Sequence, residues 1–155
     1  MRLDDYLARI GYSGPIEPTL AVLRDVHRRH LAAIAYENLD VICEVPVDGD
    51  IARIFRKLVR DQRGGWCYEM NGLLDWALRE IGFAVTRIAG GVMRIERGDE
   101  ALGNHLVLKV DLDGERWLAD VGLGDGIFEP TPLTEGTFTQ FGRGYRLQLN
   151  PEQTA

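Results

Sequence analysis

Residues 70–82 read MNGLLDWALREIG, and the fold turns on that stretch. Met70, Leu73, Leu74, Ala77, Leu78 and Ile81 recur at the three- and four-residue intervals that put side chains on one face of an α-helix. Gly82 closes the pattern. Beyond it the period changes to 2, or to continuous apolar runs, over residues 83–95, 104–112 and 116–121, with Asp113-Gly114 as a tight turn between the last two. Upstream, helical spacing covers residues 3–10 until Gly11 and Ser13-Gly14-Pro15 break it. A second helix starts with Pro18 in its first turn and carries the stripe Leu20, Leu23, Val26, His27, His30, Leu31 and Ile34. Residues 36–49, with Pro46 and Asp48-Gly49, read as an irregular or short extended connection, and residues 51–59 return to helical spacing. The tail, 131–155, is rich in Thr and Gly, with one strand expected at 145–149. Helices first and an antiparallel sheet second imply an α+β fold rather than alternating β-α-β units. The expected organisation is a helical bundle over 1–82 and a β-rich sheet or small barrel over 83–155.

A chain of 155 residues, 45% of them hydrophobic, buries about two-thirds of its unfolded surface when folded, so wholesale disorder is excluded. Its 18 Lys and Arg against 24 Asp and Glu give a net charge of −6, and the basic residues are scattered. That charge pattern offers no footprint for nucleic acid. No run approaches the roughly 18 apolar residues of a membrane span, and the opening Met1-Arg2-Leu3-Asp4-Asp5 lacks the basic-then-apolar order of a signal peptide. The expected location is the cytoplasm. Two cysteines, Cys43 and Cys67, are too few for a disulfide-stapled domain.

Their contexts differ. Arg63-Gly64-Gly65-Trp66-Cys67-Tyr68-Glu69-Met70-Asn71 sets Cys67 just after two glycines and at the opening of the amphipathic helix. The free N–H groups and positive dipole end of a helix favour thiolate over thiol, and glycines admit close approach of a reacting carbonyl. Cys67 is a candidate nucleophile, the alternative being a small buried hydrophobe. Cys43, within Val41-Ile42-Cys43-Glu44-Val45, fits that alternative. A thiol nucleophile needs a base, and the base an orienting group. His105 opens one strand run and Asp120 closes the next. A hairpin about residues 113 and 114 sets position 105 opposite a residue near 122, within one or two places of Asp120. A surface strand-end residue for His105 and a turn residue for Asp120 are the alternatives. His27 and His30 share a helical face but have no third ligand nearby, so a buried or capping role is expected over a metal site. Gly122-Leu123-Gly124-Asp125-Gly126 is glycine-rich like a phosphate loop but has no helix after it and carries an acid; a tight loop beside the site, its backbone lining a substrate pocket, is expected.

At these residues the chain resembles the arylamine N-acetyltransferase family. Arg63-Gly64-Gly65-Trp66-Cys67 with Glu69-Met70-Asn71 resembles the family's nucleophile motif, and Tyr36-Glu37-Asn38-Leu39-Asp40 its Phe-Glu-Asn-Leu-Asp segment. Asn104-His105-Leu106 and Asp120-Val121-Gly122-Leu123-Gly124 resemble the elements carrying its histidine and aspartate. The resemblance implies a transglutaminase-like catalytic core in which Cys67 is acetylated by acetyl-CoA, His105 partners the thiolate, and Asp120 orients His105. The acetyl group then passes to an aromatic amine or hydrazine in a ping-pong cycle, with no metal. Trp66, Tyr36, Leu123 and Gly124 are the implied substrate-binding residues.

Three departures accompany the resemblance. Met70 stands where the family often has Gln. Leu123 replaces a Phe, which removes an aromatic wall and alters the expected substrate preference. The chain stops at Ala155, matching the helical domain and most of the barrel domain, whereas family members continue into an interdomain helix and an α/β lid domain. A form that keeps a reactive thiol but turns over poorly is therefore one alternative, and another transglutaminase-like thiol amidase or hydrolase is a second. Self-association through exposed barrel edges is also expected.

Overall fold

The computed structural model describes residues 1–149. At its centre lies α5 (Cys67–Ile81), whose Met70, Leu73, Leu74, Ala77 and Leu78 have no exposed surface. At about 1.5–3 kcal/mol for each large apolar side chain removed from water, this face anchors the molecule. Gly82 ends the helix at φ +108°, and Phe83 N–H returns to the Leu78 carbonyl at 2.9 Å, closing a left-handed cap that a side chain would strain.

Helices α1 (Leu3–Arg9) and α2 (Leu20–Ala33) pack on α5. Thr19 caps α2 by accepting Val22 N–H, which leaves Pro18 just outside the helix rather than in its first turn. Residues 36–49 hold a short helix, α3 (Leu39–Ile42), where only a connection was expected; the Glu37 carboxylate accepts Leu39 N–H at 2.7 Å and starts it. One turn cannot bury a face of its own, and Cys43 behind it is exposed. The buried role expected for Cys43 is therefore corrected. Asp50 caps α4 (Ile51–Phe55) through Ala52 and Arg53 N–H. The helix then widens into a π turn (Arg56–Arg60), where Asp61 N–H reaches the Arg56 carbonyl and consecutive residues Leu58 and Val59 both face the core.

Four antiparallel strands follow in the order β1-β2-β3-β4: β1 (Ala84–Gly90), β2 (His105–Leu112), β3 (Glu115–Ala119) and β4 (Thr131–Pro132). Leu106, Leu108 and Val110 alternate inward from β2, and β1 and β2 both contact α5. Strand β1 stops at Gly90, short of the expected 95, because the chain turns through Met93 at φ +60° into α6 (Arg94–Arg97) and a 3-10 turn (Gly98–Ala101). A separate hairpin pairs β5 (Gly136–Gln140) with β6 (Arg143–Leu147), through Phe141 and Gly142, both at positive φ. The strand expected at 145–149 thus lies two residues earlier and has a partner that the sequence left unread. Residues 150–155 of the tail lie outside the described residues. The two sheets are open, so among the described residues the barrel expected as one form of the β region is not closed. One hydrophobic core runs from Tyr6 and Leu23 through α5 to Val110 and Trp117. Among the described residues, no helix is long and apolar enough to cross a membrane.

Candidate active site

Cys67 is the first residue of α5 and 5% exposed. Two devices fix that helix start. The Glu69 carboxylate reaches back to accept Trp66 N–H at 3.2 Å. It also binds Lys57 Nζ with both oxygens, at 2.9 and 2.7 Å. Lys57 in turn meets Asp40 at 2.7 Å, and Arg63 spans Asp40 and Glu37 at 2.7 and 3.0 Å. Burial opposes the Lys57 charge, but its hydrogen bonds to Asp40 and Glu69 outweigh that and raise its pKa; hydrogen bonds from Arg63 and Lys57 lower that of Asp40. A parallel bridge between Tyr36 and Gly65 joins the same two segments through the backbone.

His105 opens β2, and Asp120 follows β3. The β2–β3 ladder pairs Leu108 with Ala119 and Leu112 with Glu115, the register expected from a turn at 113 and 114. His105 Nε2 lies 2.7 Å from Asp120 Oδ2, and both residues are buried, so His105 is not the surface strand-end residue of its alternative reading. Cys67 lies close enough to act on the ring electrostatically, while its Sγ donates to the Asn104 carbonyl at 3.8 Å. Burial by itself would lower the His105 pKa, but the hydrogen bond to Asp120, the nearby Cys67 and the Asp120 charge raise it to about 9. For Asp120, burial works against the charge, while hydrogen bonds from His105, Asn71 and Gly122 hold its pKa below the usual carboxylate value. All three candidates thus meet at one point.

Asn71, one turn beyond Cys67, joins these elements. Its Nδ2 donates to Asp120 Oδ1 at 2.8 Å and to the Leu106 carbonyl, and its Oδ1 accepts Val121 N–H at 2.9 Å. Gly122 N–H donates to Asp120 Oδ1 at 2.8 Å. A Cβ on Gly122 would stand 2.7 Å from Cys67 Cα and 2.6 Å from Asn71 Nδ2, so only glycine lets this loop lie on the start of α5.

Among the implied substrate-binding residues, Tyr36 is 45% exposed and its ring lies 3.7 Å from where a Cβ on Gly124 would be. Burial and the nearby Cys67 raise the pKa of its phenol. Leu123 is partly exposed on the same loop. Trp66 leans on Tyr68, ring centres 5.1 Å apart, and its buried indole N–H has no hydrogen-bond partner among the described residues. The structure thus brings Tyr36, Gly124 and Cys67 together, whereas the contact that defines the Trp66 ring is with Tyr68.

Sequence reasoning missed the work of Asn71, Lys57 and His27. Asn71 was readable from its four-residue spacing to Cys67; Lys57 and His27 act across gaps in sequence that no local pattern announces. His27 and His30 are fully buried. His27 bonds to the backbone at Asp120 and Phe128, and His30 Nδ1 to the Tyr6 hydroxyl. Among the described residues, no cluster of three or more His, Cys, Asp or Glu is arranged to hold a metal.

Residues 19–155 match a family model described as N-acetyltransferase. An arylamine N-acetyltransferase of Mycolicibacterium smegmatis is 43% identical over 146 residues, covering 90% of this chain and 53% of the relative. One from Escherichia coli strain K12 is 35% identical over 162 residues, covering 97% of this chain and 58% of the relative. The solved structure of the Mycobacterium marinum arylamine N-acetyltransferase in complex with CoA superposes with a TM-score of 0.87 at 41% identity, over 97% of this chain and 58% of that one. The chain spans about half the length of the curated relatives it matches.

Proposed function

The chain belongs to the arylamine N-acetyltransferase family, and from that premise we propose that it moves an acetyl group from acetyl-CoA to an aromatic amine or hydrazine by way of Cys67. The observation that carries this reading is the His105 ring bonded to the Asp120 carboxylate at 2.7 Å and under the electrostatic influence of Cys67, the first residue of a helix. The Cys67 thiolate attacks the acetyl carbonyl, the carbon–sulfur bond to CoA breaks, and the departing CoA thiolate takes its proton from the His105 imidazolium. The amine then attacks the Cys67 thioester, gives a proton to His105 and leaves as the amide, which restores the thiolate–imidazolium pair. A thioester exchange followed by aminolysis of the Cys67 thioester replaces one direct transfer. Asp120 stays ionised and keeps the imidazole in the orientation both steps need.

CoA and the amine are substrates that reach the sulfur in turn. Exposed Tyr36 offers an aromatic face beside Gly124, and Leu123 in place of an aromatic residue removes a second such face and alters the amine preference. The proposed setting is the cytoplasm and the proposed amines are foreign compounds.

Incubation with acetyl-CoA and no amine, read by intact mass spectrometry, is expected to yield one acetyl adduct that is absent in Cys67→Ala and discharged by an added arylamine. No adduct on a chain whose Cys67 still reacts with iodoacetamide would overturn acetyl transfer by this chain.

A further inference from the structure

Asp120 is gripped through its carboxylate by His105, Asn71 and Gly122, but its backbone lies beyond the β2–β3 ladder, whose last described pair is Leu108 with Ala119. Something else must satisfy its N–H, since an orphaned buried donor is disfavoured. The partner is His27, from the middle of α2, fully buried and 93 residues away in sequence. Its Nε2 lies 3.2 Å from the Asp120 nitrogen and 3.1 Å from the Asp120 carbonyl oxygen, and its Nδ1 lies 3.1 Å from the Phe128 carbonyl oxygen.

Burial lowers the His27 pKa to about 4, so at neutral pH the ring carries a single N–H. If that proton were on Nε2, Nδ1 would face the Phe128 oxygen lone pair to lone pair and the Asp120 N–H would have no acceptor. With the proton on Nδ1, Phe128 receives a hydrogen bond and Nε2 accepts from Asp120 N–H. In either tautomer one unprotonated nitrogen faces a carbonyl oxygen, Nε2 that of Asp120 or Nδ1 that of Phe128, so the difference is the count of bonds, two instead of one. The neighbouring contacts act in the same direction. Arg28 on α2 binds Glu129 at 3.1 Å, and Gln140 Oε1 accepts the N–H of both Phe128 and Glu129, so the carbonyl that receives Nδ1–H is itself fixed.

Building on the Cys67, His105 and Asp120 reading above, we propose that His27 is a positioning residue of that site: a neutral Nδ1–H imidazole that ties the Asp120 backbone to α2 and so aims the carboxylate at His105. The side-chain bonds of Asp120 fix its orientation relative to α5 and β2. His27 fixes where the residue begins. A shift of about 0.5 Å there is enough to spoil the geometry the site requires.

Two variants one methylene apart test this. In His27→Gln the amide reaches both partners, its nitrogen donating to Phe128 and its oxygen accepting from Asp120. In His27→Asn the shorter amide reaches Phe128 and leaves Asp120 N–H unpaired. The readout is the pH profile of iodoacetamide alkylation, followed peptide by peptide in the full chain, with exposed Cys43 as an internal reference thiol. His27→Asn is expected to slow Cys67 alkylation at pH 6 by about tenfold or more, the change for one pH unit of displacement of the profile. Cys43 should be unaffected in both variants. His27→Gln is expected to stay within about threefold of the parent chain. A His27→Asn profile for Cys67 matching the parent, in a variant with the parent's circular dichroism, would overturn the proposal. Nitrogen NMR of the unsubstituted chain decides the case even where a variant does not fold: a neutral Nδ1–H ring at pH 7 supports it, and an Nε2–H ring or an imidazolium sinks it. Neither readout needs acetyl-CoA, so failure of acetyl transfer and failure of the His27 assignment are separate results.

Discussion

Gly122 sits where the candidate base pair meets the candidate nucleophile. Replacing it with Ala forces a methyl group against Cys67 Cα and Asn71 Nδ2, both on the rigid first turns of α5. Gly122→Ala is expected to cost about 1–3 kcal/mol in urea unfolding, as overpacking of a tight contact does. Stability within about 0.5 kcal/mol of the parent would show that the loop yields freely. Asp120→Asn removes the charge that holds His105 up at about 9. It is expected to lower acetyl transfer about 10³-fold and to bring the alkaline limit of activity down from near pH 9. A loss below about threefold would remove Asp120 from the proposed mechanism. The sign for stability follows from the same shift: the folded value lies above the ordinary 6.5, so the contribution is complete below pH 6.5 and is lost as pH rises through about 9. At this scale the convergence of Cys67, His105 and Asp120 was legible in the sequence, because the helix start and the hairpin turn place them locally. Cys43 was misread, since an apolar neighbourhood in sequence says nothing about whether a face exists to bury it.

Helix α2 carries two buried neutral imidazoles in one core. Burial lowers the pKa of His27 to about 4; for His30, burial and the nearby His27 and Arg9 lower it to about 3. Both folded values lie below the unfolded 6.5, so the unfolded chain binds protons first as pH falls. Stability is expected to be full above about pH 6.5 and to decline below it, at up to about 1.4 kcal/mol per pH unit for each histidine. Urea midpoints measured from pH 7 to 5 check this; a flat response over that range would contradict the buried neutral state. Element legibility followed length and chemistry. The 14 and 15 residues of α2 and α5 repeat their apolar face often enough to be read directly. Helix α3 starts from one carboxylate contact, and the β5–β6 turn uses Phe141-Gly142 in place of the Asn-Gly or Asp-Gly pair that marks such turns.

Across the whole molecule, the order of helices then antiparallel strands was legible because the hydrophobic period changes at Gly82. What escaped was closure: whether strands curl into a barrel depends on which edges meet, and β1 through β4 meet as an open sheet with the β5–β6 hairpin apart. The site depends on the same long-range assembly. Asn71 on α5 bridges the Leu106 carbonyl of β2 and the Asp120 carboxylate beyond β3, while the Asp120 backbone is held from α2. None of these contacts is local, and closing such long loops is slow compared with forming a helix. Cys67 meets His105 only when the hairpin docks on α5, so the chemical reactivity of this thiol during refolding is expected to report that docking.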